Sequence, residues 1–211
     1  ESLVSHLTPA LSHLEVDHEQ DHPDFTIMVW DSASTNTVMA PPAWEVADIR
    51  ERGEVKGFNQ DGILTSYQHG ADSLIMMNEK EQKGIYWVRD AQYIPYYESG
   101  SPFRVLLHWW MRTHHTQLTH AAAVGFEKGG VLIVGKGGMG KSTSAISCLK
   151  STLKYVADDY CLVTTSSEPY VSSVYSSAKA SEETLTKFPV LESFFKDIPF
   201  IYNDKRFIFF T

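Results

Sequence analysis

The sequence predicts an α/β phosphate-loop domain preceded by a smaller strand-rich α+β domain, on three observations. Gly135-Lys-Gly-Gly-Met-Gly-Lys-Ser-Thr143 reads G-x-x-x-x-G-K-[ST]. From Gln117 onward strand and helix signals alternate, whereas three short strand-like runs follow closely on one another between Gly62 and Arg89. The division expected is 1–100 for the N-terminal domain and 101–211 for the loop-bearing one. With 211 residues, 43% of them hydrophobic, the chain can bury a core in each.

Along the chain, His6, His13, His18 and His22 lie among Glu15, Asp17, Glu19, Asp21 and Asp24. His18 and His22 are four apart, as in a metal clip, but no cysteine accompanies them and a solvated, acidic helix end fits better. A strand is expected over Phe25-Thr-Ile-Met-Val-Trp30 and a turn-rich passage through Pro41-Pro42. The runs Gly62 to Tyr67, Ser73 to Met77 and Gly84 to Arg89 are close enough for an antiparallel meander. Ser101-Pro102 reads as a helix start, followed by Phe103, Leu106, Leu107, Trp110 and Met111 at helical spacing, a core stripe; His114 and His115 then end that helix. Strands are expected over Leu118 to Phe126, Gly130 to Val134, Leu153 to Ala157 and Cys161 to Thr164, with a helix from Ser142 to about Lys150. Helix-like segments cover Glu182 to Phe188 and Val190 to Lys196, broken by Pro189 and Pro199. The closing run Phe207-Ile-Phe-Phe210 is strand-like with no polar tail, which points to a piece of a longer protein.

Composition narrows the function classes. The longest uncharged apolar stretches fall well short of the roughly 18 residues that span a bilayer, so no membrane association is expected. Cys148 and Cys161 match no metal spacing and are too few for a disulfide framework, which favours a soluble protein of a reducing cytoplasm. The net charge of −8 is uneven: residues 1–115 hold 17 acidic against 8 basic side chains, residues 116–211 hold 9 against 10. No basic stripe marks a nucleic-acid surface, and the loop-bearing half repels an anionic ligand little. The acidic half, with exposed-looking Trp44, Tyr93, Tyr96 and Tyr97, reads as an acceptor-recognition or homo-oligomer-forming domain.

In a phosphate loop the backbone N–H groups of Gly135, Lys136, Gly137, Gly138, Met139 and Gly140 cradle the phosphates of a nucleoside triphosphate such as ATP. Lys141 adds a mobile positive charge, the Ser142 hydroxyl takes a Mg²⁺ position, and Thr143 opens a helix whose N-terminus favours anions. Such a site also needs a carboxylate for Mg²⁺ and, for transfer to a hydroxyl, a base. Asp158-Asp159, beginning 17 residues after Lys141, offers both kinds of group. Adjacent strand residues point to opposite faces, so both reach one site only if the strand ends or bends there. Otherwise one is active and the other caps a turn. His120, just before Ala121-Ala-Ala-Val124, is either a satisfied core histidine or, beside an aspartate, a group for proton handling.

The succession Leu118-Thr-His120, Gly129-Gly-Val-Leu-Ile-Val-Gly135, Lys141-Ser142 and Val156-Ala-Asp-Asp-Tyr160 resembles the nucleotide domain of HPr kinase/phosphorylase. It is still more similar to the HPr-kinase-like proteins of peptide biosynthesis, which Val174-Tyr-Ser-Ser-Ala-Lys179 and Lys205-Arg206 also fit. The resemblance covers about residues 103–211 and implies the fold shared with phosphoenolpyruvate carboxykinases and ATP-dependent phosphorylation of a serine hydroxyl. It further implies a base at Asp159, Mg²⁺ ligands at Asp158 and Ser142, and an orienting histidine at His120. The glycine-rich signature that follows the aspartates in the bifunctional enzyme has no counterpart between Thr164 and Thr211, so a peptide, protein or small-molecule hydroxyl is expected as acceptor in place of HPr. Lys141, Lys205 and Arg206 would offset charge on the γ-phosphate. An ATPase switch, a carboxykinase-type enzyme and a nucleotide-binding assembly factor are the other readings of the same loop.

Overall fold

A computed structural model describes residues 2–18, 21–189, 191, 201–202 and 205–210. Apart from Leu191, the helix-like segment expected over Val190 to Lys196 lies outside them. Contacts divide the chain into two compact units. One comprises Glu1–His6, Val16–Glu98 and Phe103–Thr113; the other comprises Leu7–Glu15, Ser99–Pro102 and His114–Thr211.

The chain opens with a helical turn, α1 (Val4–Leu7), and residues 15–18 and 21–24 run exposed toward the first strand instead of continuing a helix. The first unit is a four-stranded sheet of β1 (Thr26–Asp31), which leads into the turn α2 (Ser32–Thr35), and of β2 (Ile63–Gln68), β3 (Ser73–Asn78) and β4 (Lys83–Val88). The last three form the antiparallel meander that their short spacing predicts, and β1 adds parallel to β4, giving the order β1-β4-β3-β2. Period-2 alternation sorts the side chains between two faces. Tyr67, Leu74 and Trp87 are register partners and pack with Val55, Trp44 and Phe58. Ile75, Met77 and Tyr86 lie on the opposite face, where α4 (Arg104–Arg112) covers β3.

That helix therefore belongs with the N-terminal sheet, although the sequence places it after the division near residue 100. It follows the short α3 (Tyr96–Gly100) and begins two residues beyond Ser101-Pro102, after Phe103 in a left-handed conformation (φ 57°). The carbonyls of Gly100 and Pro102 accept the hydroxyls of Ser177 and Tyr175 within the second unit, which removes that segment from the helical ladder. Of the aromatics expected at the surface only Tyr93 is exposed. Trp44 stands edge-on to Phe58 and Tyr67 at 5.1 and 5.6 Å, and with Met39, Pro41 and Trp87 it walls a cavity of about 570 Å³.

The second unit contains three three-stranded sheets, and every described pairing is antiparallel. The expected strand Leu118 to Phe126 is two, β5 (Thr116–Thr119) and β6 (Ala122–Phe126). β6 turns directly into β7 (Gly129–Ile133), and then follow α5 (Lys141–Ser147), β8 (Lys154–Ala157), β9 (Cys161–Thr164), β10 (Val171–Ser173), β11 (Ser177–Ser181), α6 (Glu182–Lys187), β12 (Ile201–Tyr202) and β13 (Lys205–Phe209). The sheet orders are β7-β6-β8, β10-β9-β5 and β11-β13-β12. Because β7 and β8 both run antiparallel to β6, they are parallel to each other, so β7, α5 and β8 form a crossover with β6 inserted between its strands. β6 is buried on both faces, which explains its unbroken apolar run. Ala122 and Val124 meet Ala145 of α5, whereas Ala123 meets Ala157 and Cys161. Ile146 turns the other side of α5 to Ala180, Leu185 and Ile208. Among the described residues no helix is long and apolar enough to cross a membrane.

Glu98 is buried in the first unit beside Tyr86, whose hydroxyl has no partner at full hydrogen-bond geometry. Burial drives the Glu98 carboxyl up to about 7, against the opposing pull of the Arg104 guanidinium and the Tyr86 hydroxyl. A carboxyl raised from its ordinary 4.5 keeps its proton in the folded state, so its contribution is full below pH 4.5 and lost as pH rises through 7. Glu98→Gln should remove about 3 kcal/mol of that pH dependence. Denaturant unfolding at a series of pH values between 4 and about 8 reads it directly; a wild-type profile parallel to that of the variant would refute the assignment.

Candidate functional site

The segment between β7 and α5 doubles back on left-handed glycines. Gly138 and Gly140 have φ 83° and 84°, values costly for a residue with a Cβ. A Cβ built on either meets nothing within 4 Å, so the glycines answer a backbone requirement and leave the space above the loop open. Residues 135–140 are exposed, as is Thr143. Lys141 is 8% exposed, and its ammonium turns back to donate to the carbonyls of Gly135 (2.9 Å) and Lys136 (3.4 Å). The cation thus lies inside the loop and not out over it, because these carbonyls are acceptors within reach of its stem.

The aspartate pair follows the end of β8, and Asp159 is left-handed (φ 64°). This bend removes the objection that adjacent strand residues face opposite ways. Asp158 is fully buried; its Oδ2 accepts the backbone N–H of Lys179 at 3.2 Å, and the Ser142 hydroxyl lies close enough to favour the charged carboxylate, without a hydrogen bond at full geometry. Its Oδ1 is buried with no hydrogen-bond partner. Burial raises the Asp158 pKa, opposed by the Lys179 N–H and the Ser142 hydroxyl. Asp159 differs in both respects. Its Oδ1 meets His120 Nε2 at 3.2 Å and its Oδ2 meets Lys179 Nζ at 2.6 Å. Burial would raise its pKa too, but the His120 and Lys179 contacts outweigh it and hold the carboxyl well below the usual range.

Topology explains why His120 and Asp159 meet. Thr119 pairs with Cys161 in one sheet and Ala123 pairs with Ala157 in another. The chain therefore passes between the same two sheets twice, through residues 120–122 and through 158–160, side by side. His120 and Asp159 lie in these two passages, and the His120 ring stacks on Tyr160 with centroids 5.1 Å apart. At 48% side-chain exposure His120 is not a core histidine. The small buried residues Ala121, Ala123, Ala157 and Cys161 let the passages approach closely.

Lys179 is the site residue that sequence reasoning assigned no role. It closes the run Val174 to Lys179 that carries part of the resemblance, but only β11 brings it to the aspartates, 20 residues away in the chain. The pair Lys205-Arg206 is divided by strand alternation. Lys205 and Phe207 share a face with Lys179, as the pairings Ser181↔Lys205 and Lys179↔Phe207 require, while Arg206 shares the opposite face with Ile208 and pairs with Glu182 at 2.8 Å. Arg206 is thus turned away from the aspartates.

Among the described residues no group of three His, Cys, Asp or Glu could hold a metal ion by itself. A hard cation that keeps waters and phosphate oxygens needs fewer protein ligands. The unpartnered Asp158 Oδ1 beside the Ser142 hydroxyl is an all-oxygen donor set of that kind. No family model, curated protein or solved structure matches the chain.

The contacts of Asp159 with His120 and Lys179 contribute stability above the ordinary aspartate value of 3.8, and that stability is lost as pH falls through the lower folded value of the carboxyl. Asp159→Asn is expected to lower the unfolding free energy at pH 7 by about 1–3 kcal/mol, the range for a hydrogen bond to a charged group. The deficit should shrink below pH 4 in acid titrations followed by circular dichroism. A deficit that persists unchanged into acid would show that the carboxylate charge is not its source.

Proposed function

We propose that this chain is an ATP-dependent kinase that phosphorylates a serine or other hydroxyl on a peptide, protein or small molecule, on a nucleotide domain of the HPr kinase and phosphoenolpyruvate carboxykinase type. The observation that carries this reading is the meeting of two differently held aspartates: Asp158 beside the loop serine Ser142, and Asp159 between His120 and Lys179. A strand-loop-helix with the phosphate-loop sequence supplies the remaining part.

On this reading the loop N–H groups bind the phosphates, and Lys141 exchanges its loop carbonyls for them. Asp158 and Ser142 would hold Mg²⁺, which when bound offsets charge on the β- and γ-phosphates. The acceptor oxygen bonds to the γ-phosphorus, the bond from that phosphorus to the bridging oxygen breaks, and ADP leaves with the electron pair. The acceptor proton passes to Asp159. A carboxylate held low in pKa is a weak base, but in a loose phosphoryl-transfer transition state positioning outweighs basicity. Before nucleotide binds, His120 and Lys179 keep Asp159 ionised and aimed. A reducing cytoplasm suits the two free thiols, of which Cys161 is buried and pushed up to about 11 by burial.

Lys141→Ala should weaken ATP·Mg²⁺ binding, measured by calorimetry, and remove activity in a protein that still folds; full retained activity would end the phosphate-loop reading. The decisive assay is transfer of radiolabel from [γ-³²P]ATP to candidate hydroxyl-bearing peptides. Asp159→Asn should retain ATP·Mg²⁺ binding and cut transfer by roughly 10² to 10⁴-fold, the range for a positioned general base. Asp158→Asn should instead raise the Mg²⁺ requirement. Phosphate released only to water, at the same rate with and without acceptor, would replace the kinase by an ATPase.

A further inference from the structure

Both oxygens of Asp159 are occupied, Oδ1 by His120 and Oδ2 by Lys179. Each oxygen keeps a further lone pair, but a hydroxyl that approaches Oδ2 must share it with the ammonium or displace it. The two partners are held differently. The His120 ring is stacked on Tyr160. Lys179 is fixed only at its base, where its backbone N–H bonds to Asp158 Oδ2, the carboxylate that the Ser142 hydroxyl of the loop approaches. From there a flexible four-carbon stem carries the ammonium past the Phe207 ring, 5.3 Å from its centroid, to Asp159. With 21% of its side chain exposed, Lys179 is neither locked in the core nor free in solvent.

A cation leaving Asp159 in so buried a place needs another anion nearby. The terminal phosphate of a triphosphate on the loop would be that anion, since β11, which carries Lys179, packs against α5, the helix that the loop leads into, and the Lys179 backbone bonds to Asp158. We propose that Lys179 is a γ-phosphate ligand that distinguishes tri- from diphosphate: its ammonium passes from Asp159 to the terminal phosphate when a nucleoside triphosphate occupies the loop, which frees Asp159 Oδ2 for the acceptor hydroxyl. A diphosphate leaves the ammonium where it is, and Asp159 stays closed. The acceptor site thus opens only when there is a phosphoryl group to transfer. This inference rests on the nucleotide reading of the loop.

The test is calorimetric titration of the whole chain with ATP·Mg²⁺ and with ADP·Mg²⁺. Lys179→Gln should weaken ATP by about 10- to 100-fold, the range for a hydrogen bond to a charged group, and ADP much less. Lys179→Arg should restore most of the preference, since it returns the charge. Asp159→Asn provides a second route should Lys179→Gln fail to fold: with its tether gone, Lys179 should bind ATP several-fold more tightly while ADP is unchanged. Equal changes for ATP and ADP in these variants would overturn the role of Lys179 while leaving the loop assignment intact. A wild-type chain that binds neither nucleotide would overturn both.

Discussion

Two carboxylates on consecutive residues, both withdrawn from water, are the constraint on which the second unit depends. Left side by side they would repel, and each charge would meet the cost of desolvation alone. The chain resolves this by treating them unequally. Asp159 is given the Lys179 ammonium and the His120 imidazole and keeps its charge; Asp158 receives a backbone N–H, and one of its oxygens is left without a partner. A single residue, Lys179, contributes to both solutions through its backbone and its side chain. Groups whose environments push their pKa values apart in this way are a recurrent mark of acid–base sites.

The rest of that unit can be traced from this requirement. His120 must arrive opposite Asp159, so the long apolar run before the loop cannot remain one strand and is broken where it changes sheet. Two passages crossing side by side need small residues around them, which the alanines and Cys161 provide. α5 has to carry Ser142 to Asp158 while burying both of its flanks, and it does so with Ala145 against one sheet and Ile146 against another. Packing, loop geometry and charge pairing therefore constrain the same few residues.

The first unit has a different balance. Its sheet is a local meander, fixed by tight turns and by alternation, with aromatic side chains concentrated on one face around a cavity. Its buried carboxyl, Glu98, answers desolvation by keeping its proton, whereas Asp159 in the second unit answers it by recruiting the Lys179 ammonium. The same physical cost thus has two outcomes in one chain, decided by whether a positive side chain is within bonding distance.

What the sequence determines by itself is what depends on neighbours along the chain. The meander strands, the strand at Cys161 to Thr164, the strand-loop-helix order around Gly135 to Thr143 and the placement of α6 are all legible, because periodicity, turn residues and glycines act locally. The aspartate pair can be singled out by its residue type and its distance after the loop, and His120 by the resemblance. What only the tertiary structure decides is how these residues are brought together. The break at His120-Ala121 is invisible in an apolar run that suits a buried strand on either side of it. The left-handed turn at Asp159, a conformation aspartate tolerates, falls where the chain changes sheet. Lys179 comes to the site by the pairing of β11, and alternation there separates Lys205 from Arg206, which the sequence sets side by side. Helix α4 joins the N-terminal sheet because its apolar stripe fits that face, while Ser101-Pro102 is drawn into the other unit by hydroxyls more than 70 residues away. Such contacts depend on long-range closure of the chain, and local sequence carries no record of it.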